Sequence, residues 1–287
     1  MFMKKIIIVG AARSGTNMLR DILSSTGSIV TWPCDEINYI WRYGNAKAPT
    51  DEFSSGMAGD RQRKYIQKKF SEVSKKGGSG WVLEKTCANS LRVDFIEAIF
   101  PDALYIHIIR DGRDVACSAR ERWTSELDLR YLLKKIRFVP ARDLLFYGLR
   151  YLGSKVHQIF SKENRLLTWG PRFEGIDEVF NAHSTVVASG IQWMKCVERS
   201  QLSFKSIPVE RVITVTYESF TRSPREELER IINKFQLPLC LGELEADLVR
   251  VSCDSVGRWR DVLSPNELAG VESVCGPLLT DLGYIDG

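Results

Sequence analysis

The chain has 287 residues, of which 44% are hydrophobic, 10% aromatic and 26% charged; this is the composition of a globular protein and excludes a disordered, collagenous or fibrous chain. The length allows one large domain or two small ones at roughly 150 residues each. A formal net charge of +4 suits an anionic ligand but is too small for the clustered basic face of a nucleic-acid binder, and no run reaches the ~20 apolar residues of a membrane span.

In chain order, Lys5-Ile6-Ile7-Ile8-Val9 is continuously apolar and β-branched, the pattern of a central parallel strand covered on both faces. It is too short for a signal peptide, so a cytoplasmic protein with at most peripheral membrane contact is expected. Gly10 to Asn17 reads as a loop, and Met18 opens a helix. Lys75 to Gly80 reads as a flexible loop. Trp81–Lys85 is a strand, Ser90–Phe100 a helix, and Ala103–Ile109 a strand flowing through Arg110-Asp111-Gly112-Arg113-Asp114 into another helix. Val212–Tyr217 is a fourth strand, followed by a helix over Arg225–Phe235 with Pro224 at its first turn. Strands alternating with helices define an α/β fold with a mainly parallel sheet.

Between Arg120 and Arg172 twelve Lys/Arg face five Asp/Glu, interleaved with Leu, Phe, Tyr and Trp at helical spacing. A helical insertion with a solvated basic face is the simpler reading, and contact with an acidic glycan or a membrane surface the other. The seven cysteines include no C-x-x-C pair, which argues against a disulfide framework or a zinc site and for a reducing compartment.

The loop Gly10-Ala11-Ala12-Arg13-Ser14-Gly15-Thr16-Asn17 joins a buried strand to a helix N-terminus, where unpaired N–H groups and the helix dipole favour an anion. The Gly10-x4-Gly15 spacing is that of a nucleotide-triphosphate P-loop, but Thr16-Asn17 replaces the Lys-Ser/Thr pair that would hold phosphates and magnesium. A kinase is therefore disfavoured, and a plain tight turn would need neither the arginine nor the hydroxyls. Downstream, Arg110 ends a strand and Ser118 follows eight residues later, a guanidinium and a hydroxyl suited to a phosphate monoester. A surface ion-pair cluster of Arg110, Asp111, Arg113 and Asp114 is the competing reading of that segment.

The first loop resembles the 5′-phosphosulfate loop of sulfotransferases that use 3′-phosphoadenosine 5′-phosphosulfate (PAPS), and Ile108 to Ser118 resembles their 3′-phosphate motif. The resemblance implies a P-loop-NTPase-like three-layer α/β/α fold in a single domain, 1–287, with a helical acceptor-side insertion around 120–190. It implies PAPS as co-substrate and adenosine 3′,5′-bisphosphate (PAP) as product, with Arg13, Ser14, Gly15, Thr16, Asn17, Arg110 and Ser118 binding the nucleotide. Val215 to Phe220 is similar to the family's strand-end Tyr-Glu segment, with Tyr217 near the nucleotide. Ser255 to Arg260 is similar to the loop that closes over PAPS, with Arg258 in the place of a basic residue. Packed aromatics are the alternative for Tyr217 and Trp259.

Sulfuryl transfer needs a cation where charge appears on the departing oxygen, and Arg13 suits that role. Lys85 is a second candidate, with an exposed structural lysine as the alternative. The acceptor hydroxyl needs a base. The resemblance to tyrosylprotein and glycan sulfotransferases points to Glu36, with Asp35 or a helix-capping role for Glu36 as rivals. His107 reads as a core residue, and His157 and His183 fall in the unmatched insertion. The chemistry requires no metal, and the histidines lack ligand spacing. The expected acceptor is a glycan, glycolipid or small metabolite. A tyrosylprotein sulfotransferase, a P-loop kinase and a non-catalytic nucleotide binder are the alternatives.

Overall fold

The computed structural model describes residues 3–123 and 170–286. Four strands, β1 (Lys4–Val9), β2 (Trp81–Lys85), β3 (Leu104–Ile109) and β4 (Val212–Thr216), form one sheet in the order β2-β1-β3-β4. All neighbours are parallel, with Ile6 opposite Leu83 on one side and Leu104 on the other, and His107 opposite Thr214. The helices are α1 (Thr16–Ser24), α2 (Asn38–Trp41), α3 (Asp60–Gly77), α4 (Val93–Ile99), α5 (Gly112–Trp123), α6 (Ile176–Ala182) and α7 (Thr185–Phe204), then α8 (Tyr217–Arg222), α9 (Pro224–Phe235), α10 (Leu241–Leu248), α11 (Trp259–Val262) and α12 (Pro265–Asp281).

The period of two along a strand divides the core. Ile6 and Ile8 face Leu19, Ile22 and Leu23 of α1, together with Leu228 and Ile231 of α9 and Leu244 of α10. Ile7 and Val9 face Trp41 of α2, Ile66 and Phe70 of α3, and Phe95 and Ile96 of α4. Both faces are covered, which is why β1 reads as an unbroken apolar run, and the three-layer α/β/α architecture follows. A third cluster beside β3 packs Val115, Ala116 and Ala119 of α5 against Val187, Ile191 and Trp193 of α7 and Val271 and Cys275 of α12. Gly112 lets α5 meet α7, since a Cβ there would lie 2.5 Å from the Trp193 ring.

Several boundaries differ from those read in the sequence. α1 begins at Thr16, inside the expected loop. α3 runs to Gly77, so the expected Lys75–Gly80 loop shrinks to a turn: Gly78 adopts φ 68° and the N–H groups of Gly78 and Ser79 bond back to the carbonyls of Lys75 and Ser74. The expected helix over Ser90–Phe100 is a 3₁₀ turn, Cys87–Leu91, and then α4, separated by Arg92 at φ −144°. His157 and most of the expected basic insertion lie outside the described residues. Among the described residues no helix is long and apolar enough to cross a membrane.

Candidate active site

Because all four strands run the same way, their carboxyl ends deliver four segments to one edge of the sheet. The central pair, β1 and β3, have their outer neighbours on opposite sides, which makes the crevice at their carboxyl ends the ligand position of such sheets. Arg13 follows β1, Lys85 ends β2, Arg110 follows β3 and Tyr217 follows β4.

The β1 loop is shaped by two left-handed residues, Arg13 at φ 70° and Gly15 at φ 85°. Gly15 cannot be exchanged for another residue, since a Cβ would stand 2.5 Å from the Tyr217 ring. Gly15 is also the N-cap of α1, with no side-chain cap bond and no acidic residue in the first turn, so the positive end of the helix is open to an anion. Ser14 and Thr16 are buried, and Arg13 and Asn17 are exposed beside them.

Around this loop the sequence-predicted nucleotide residues converge. Arg13 Nε donates to Ser118 Oγ at 2.8 Å. Arg110 Nη1 donates to the Arg13 carbonyl at 3.0 Å, and its guanidinium stacks 4.3 Å above the centre of the Tyr217 ring. The other arm of Arg110 donates to the Ser255 carbonyl, which draws in the C-terminal loop. Asp114 fastens that loop by accepting from the Gly257 N–H at 2.8 Å and the Trp259 N–H at 3.0 Å. Burial raises the Asp114 carboxyl above its ordinary value against the pull of these two bonds. Arg258 is exposed on the fastened loop. Arg110, Asp111, Arg113 and Asp114 are all buried, which corrects the reading of them as a surface cluster. Asp111 accepts the Arg113 N–H and pairs with its guanidinium at 2.8 Å, and Arg113 reaches Glu272 and the Tyr284 carbonyl.

Among the described residues, three buried polar atoms of this region make no hydrogen bond: Ser14 Oγ, Arg110 Nε and, on the fastened loop, Trp259 Nε1. Buried donors are rarely left unpaired, and Ser14 Oγ and Arg110 Nε stand by an open helix N-terminus. The residues therefore fit an anionic nucleotide: Ser14, Gly15 and Thr16 would hold its 5′ end and Arg110 with Ser118 a further phosphate.

The second half of the site lies across β2. Lys85 is 4% exposed, which removes the alternative of an exposed lysine, and its Nζ stands 3.3 Å from Glu36 Oε1. Burial disfavours the ammonium, but Glu36 together with Cys87 and Asp35 outweighs it and Lys85 sits above its ordinary value. Glu36 Oε1 also accepts from the Cys87 N–H at 3.2 Å. The Cys87 thiol in turn lies 3.8 Å from Thr16 Oγ1, so one residue links the glutamate to the anion loop. Burial pushes that thiol above its ordinary range, which leaves it an inert packing group. The N-cap of α2 is Ile37 and has no side-chain cap bond, so a capping role for Glu36 is not what the structure shows. Asp35 is engaged by Arg20 at 3.4 Å.

His107 is a core residue. It lies on β3 within 3.0 Å of Ser200 Oγ, and burial lowers it to about 4. His183 follows α6 and is exposed. Sequence reasoning missed the roles of Asp114, Cys87 and Thr86. An acidic residue in the first turn of α5 was the available signal for Asp114, since such a residue favours backbone N–H partners.

Comparisons with known proteins bear on the family and the fold. Residues 5–137 match the model of the sulfotransferase family, and with that match the family resemblance read from the two motifs stands. No curated protein matches the chain. Among solved structures, the fold is similar to the sulfotransferase domain from the curacin biosynthetic pathway at 12% identity and a TM-score of 0.56, over 96% of this chain and 98% of that one. It is also similar to a sulfotransferase from Alicyclobacillus acidocaldarius, at 17% identity and a TM-score of 0.51 over 100% and 98%. A mouse sulfotransferase complexed with PAP aligns at 12% identity and a TM-score of 0.52 over 99% and 89%.

Proposed function

We propose that this chain is a PAPS-dependent sulfotransferase acting on a hydroxyl acceptor. The observation that carries the reading is that Ser14 Oγ and Arg110 Nε, buried beside an open helix N-terminus, find no hydrogen bond among the described residues, in a segment that matches the sulfotransferase family. PAPS would supply an activated sulfuryl group on its 5′-phosphate and a 3′-phosphate that distinguishes it from ordinary adenine nucleotides.

In this reading the N–H groups of the Ser14–Thr16 turn and the Arg13 guanidinium hold the negative charge that appears on the 5′-phosphate oxygen when its bond to sulfur breaks. Arg13 stays protonated and acts by charge, not by giving up a proton. Glu36 takes the proton of the acceptor hydroxyl as that oxygen bonds to sulfur, and Lys85 fixes the carboxylate through Oε1. Arg110 and Ser118 hold the 3′-phosphate, Tyr217 stacks on Arg110, and Asn17 and Arg258 complete the exposed rim. None of these roles calls for a metal. The 120–190 region, most of which lies outside the described residues, is expected from the sequence to carry the acceptor contacts, and a glycan, a glycolipid or a small metabolite is the acceptor class proposed for a cytoplasmic enzyme.

Calorimetric titration with PAP, 5′-AMP, ADP and ATP, with and without magnesium, tests the nucleotide. A magnesium-independent preference for PAP is expected. A magnesium-dependent preference for ATP would overturn the reading in favour of a kinase. Labelled PAPS offered with a phenol, an aliphatic alcohol, an acidic tyrosine peptide and an oligosaccharide then identifies the acceptor class, and binding of PAP without any turnover would make the protein a nucleotide binder.

A further inference from the structure

Four consecutive residues at the end of β2 hold the Glu36 segment in two different ways. Lys85 and Cys87 contact the Glu36 carboxylate itself. Glu84 and Thr86 do not touch it. Instead, the Ile37 N–H, the next backbone group along the chain, donates to Thr86 Oγ1 at 3.1 Å. The Thr86 hydroxyl in turn donates to Glu84 Oε1 at 2.5 Å. Glu84 Oε2 accepts from Asn89 Nδ2 at 2.6 Å, and Asn89 Oδ1 accepts two bonds from Arg92 at 2.9 and 3.0 Å. Thr86 and Asn89 are fully buried and Glu84 almost so, which keeps water from replacing any link. The chain of bonds thus runs from a guanidinium in the core to the backbone beside the glutamate, across 49 residues of sequence between Ile37 and Thr86.

We infer that Thr86, oriented by Glu84, is a positioning residue that sets where the Glu36 carboxylate stands relative to the anion loop. This rests on the reading of Glu36 as the base. A hydroxyl is the one small side chain that can accept from Ile37 and donate to Glu84 at once. Thr86→Val keeps shape and volume but breaks both bonds, whereas Thr86→Ser keeps both. Because about 1 Å of misplacement costs about a hundredfold in rate, Thr86→Val should lower kcat by about ten- to a hundredfold, with KM for PAPS and PAP affinity within about twofold of wild type. Thr86→Ser should restore kcat to within about threefold.

The experiment measures transfer from labelled PAPS to the four acceptors named above, with hydrolysis of PAPS by water scored alongside, for wild type, Thr86→Val, Thr86→Ser and Glu36→Gln. PAP titration reports whether each variant is folded, and Thr86→Ala replaces Thr86→Val if the latter does not fold. Full turnover by Thr86→Val beside an inactive Glu36→Gln overturns this inference alone, as does an equal loss in Thr86→Ser. Full turnover by Glu36→Gln, or none by wild type, overturns the reading on which it rests and this inference with it.

Discussion

The two halves of the site use their carboxylates differently. On the nucleotide side, Arg13 and Arg110 donate to the neutral oxygens of Ser118, Arg13 and Ser255, and Arg110 also stands 3.8 Å from the Asp114 carboxylate, which is itself occupied by two backbone N–H groups. On the base side each cation meets a carboxylate: Lys85 faces Glu36 at 3.3 Å and Arg42 faces Asp51 at 2.6 Å, with Arg92 3.8 Å from the same Asp51. A carboxylate taken up by backbone N–H groups neutralises a neighbouring cation less than one that accepts from the cation directly. The first half is therefore suited to bind an anion and the second to hold one side chain still.

The largest effect should come from the base side. Glu36→Gln removes the proton acceptor but keeps the shape and should reduce turnover by about 10²- to 10⁴-fold while PAP binding, read by calorimetry, stays within about twofold; a parallel loss of binding would mean that the two halves are not separate. Arg110→Ala should do the reverse. Loss of charge-assisted bonds worth about 2 to 3 kcal/mol corresponds to roughly a hundredfold weaker PAP binding in the same titration, and unchanged affinity would break the comparison.

His107 sharpens the contrast because it serves neither half. Its folded value of about 4 lies below the ordinary 6.5, so the unfolded chain binds the proton first as pH falls. Its contribution is complete above pH 6.5 and lost on the way to pH 4, about 3 kcal/mol in all. Urea melts at several pH values should show that loss in wild type and its absence in His107→Gln. Glu84, raised by burial, acts in the opposite sense in both proteins and drops out of the difference. The smallest effect belongs to Asp114→Asn, which weakens the hold on Gly257 and Trp259. About 1 kcal/mol predicts roughly fivefold weaker PAP binding, seen as faster PAP release in stopped-flow.

The same division explains what could be read from the sequence. The anion loop and the Arg110 to Ser118 segment are local: strand end, turn and helix start lie within a few residues, and short apolar, β-branched runs placed all four strands to within one residue. The base side is assembled over distance. Glu36 and Lys85 are 49 residues apart, and Thr86 connects with Ile37 only because β2 lies beside β1. Family resemblance singled out Glu36, and Lys85 was a candidate cation at a strand end, but nothing local in Glu84-Lys85-Thr86-Cys87 distinguishes a side chain that touches the carboxylate from one that holds its backbone. Asp114 was hidden for a related reason, since its partners Gly257 and Trp259 lie more than 140 residues away.

The left-handed backbone of Arg13, at φ 70°, sets folding and chemistry against each other at a single position. A side chain there costs about 1 kcal/mol that glycine would not. Selection for heat resistance alone would therefore favour Arg13→Gly, and selection for transfer would reject it. Among relatives that have lost the reaction but kept the fold, residue 13 is where the arginine should disappear first.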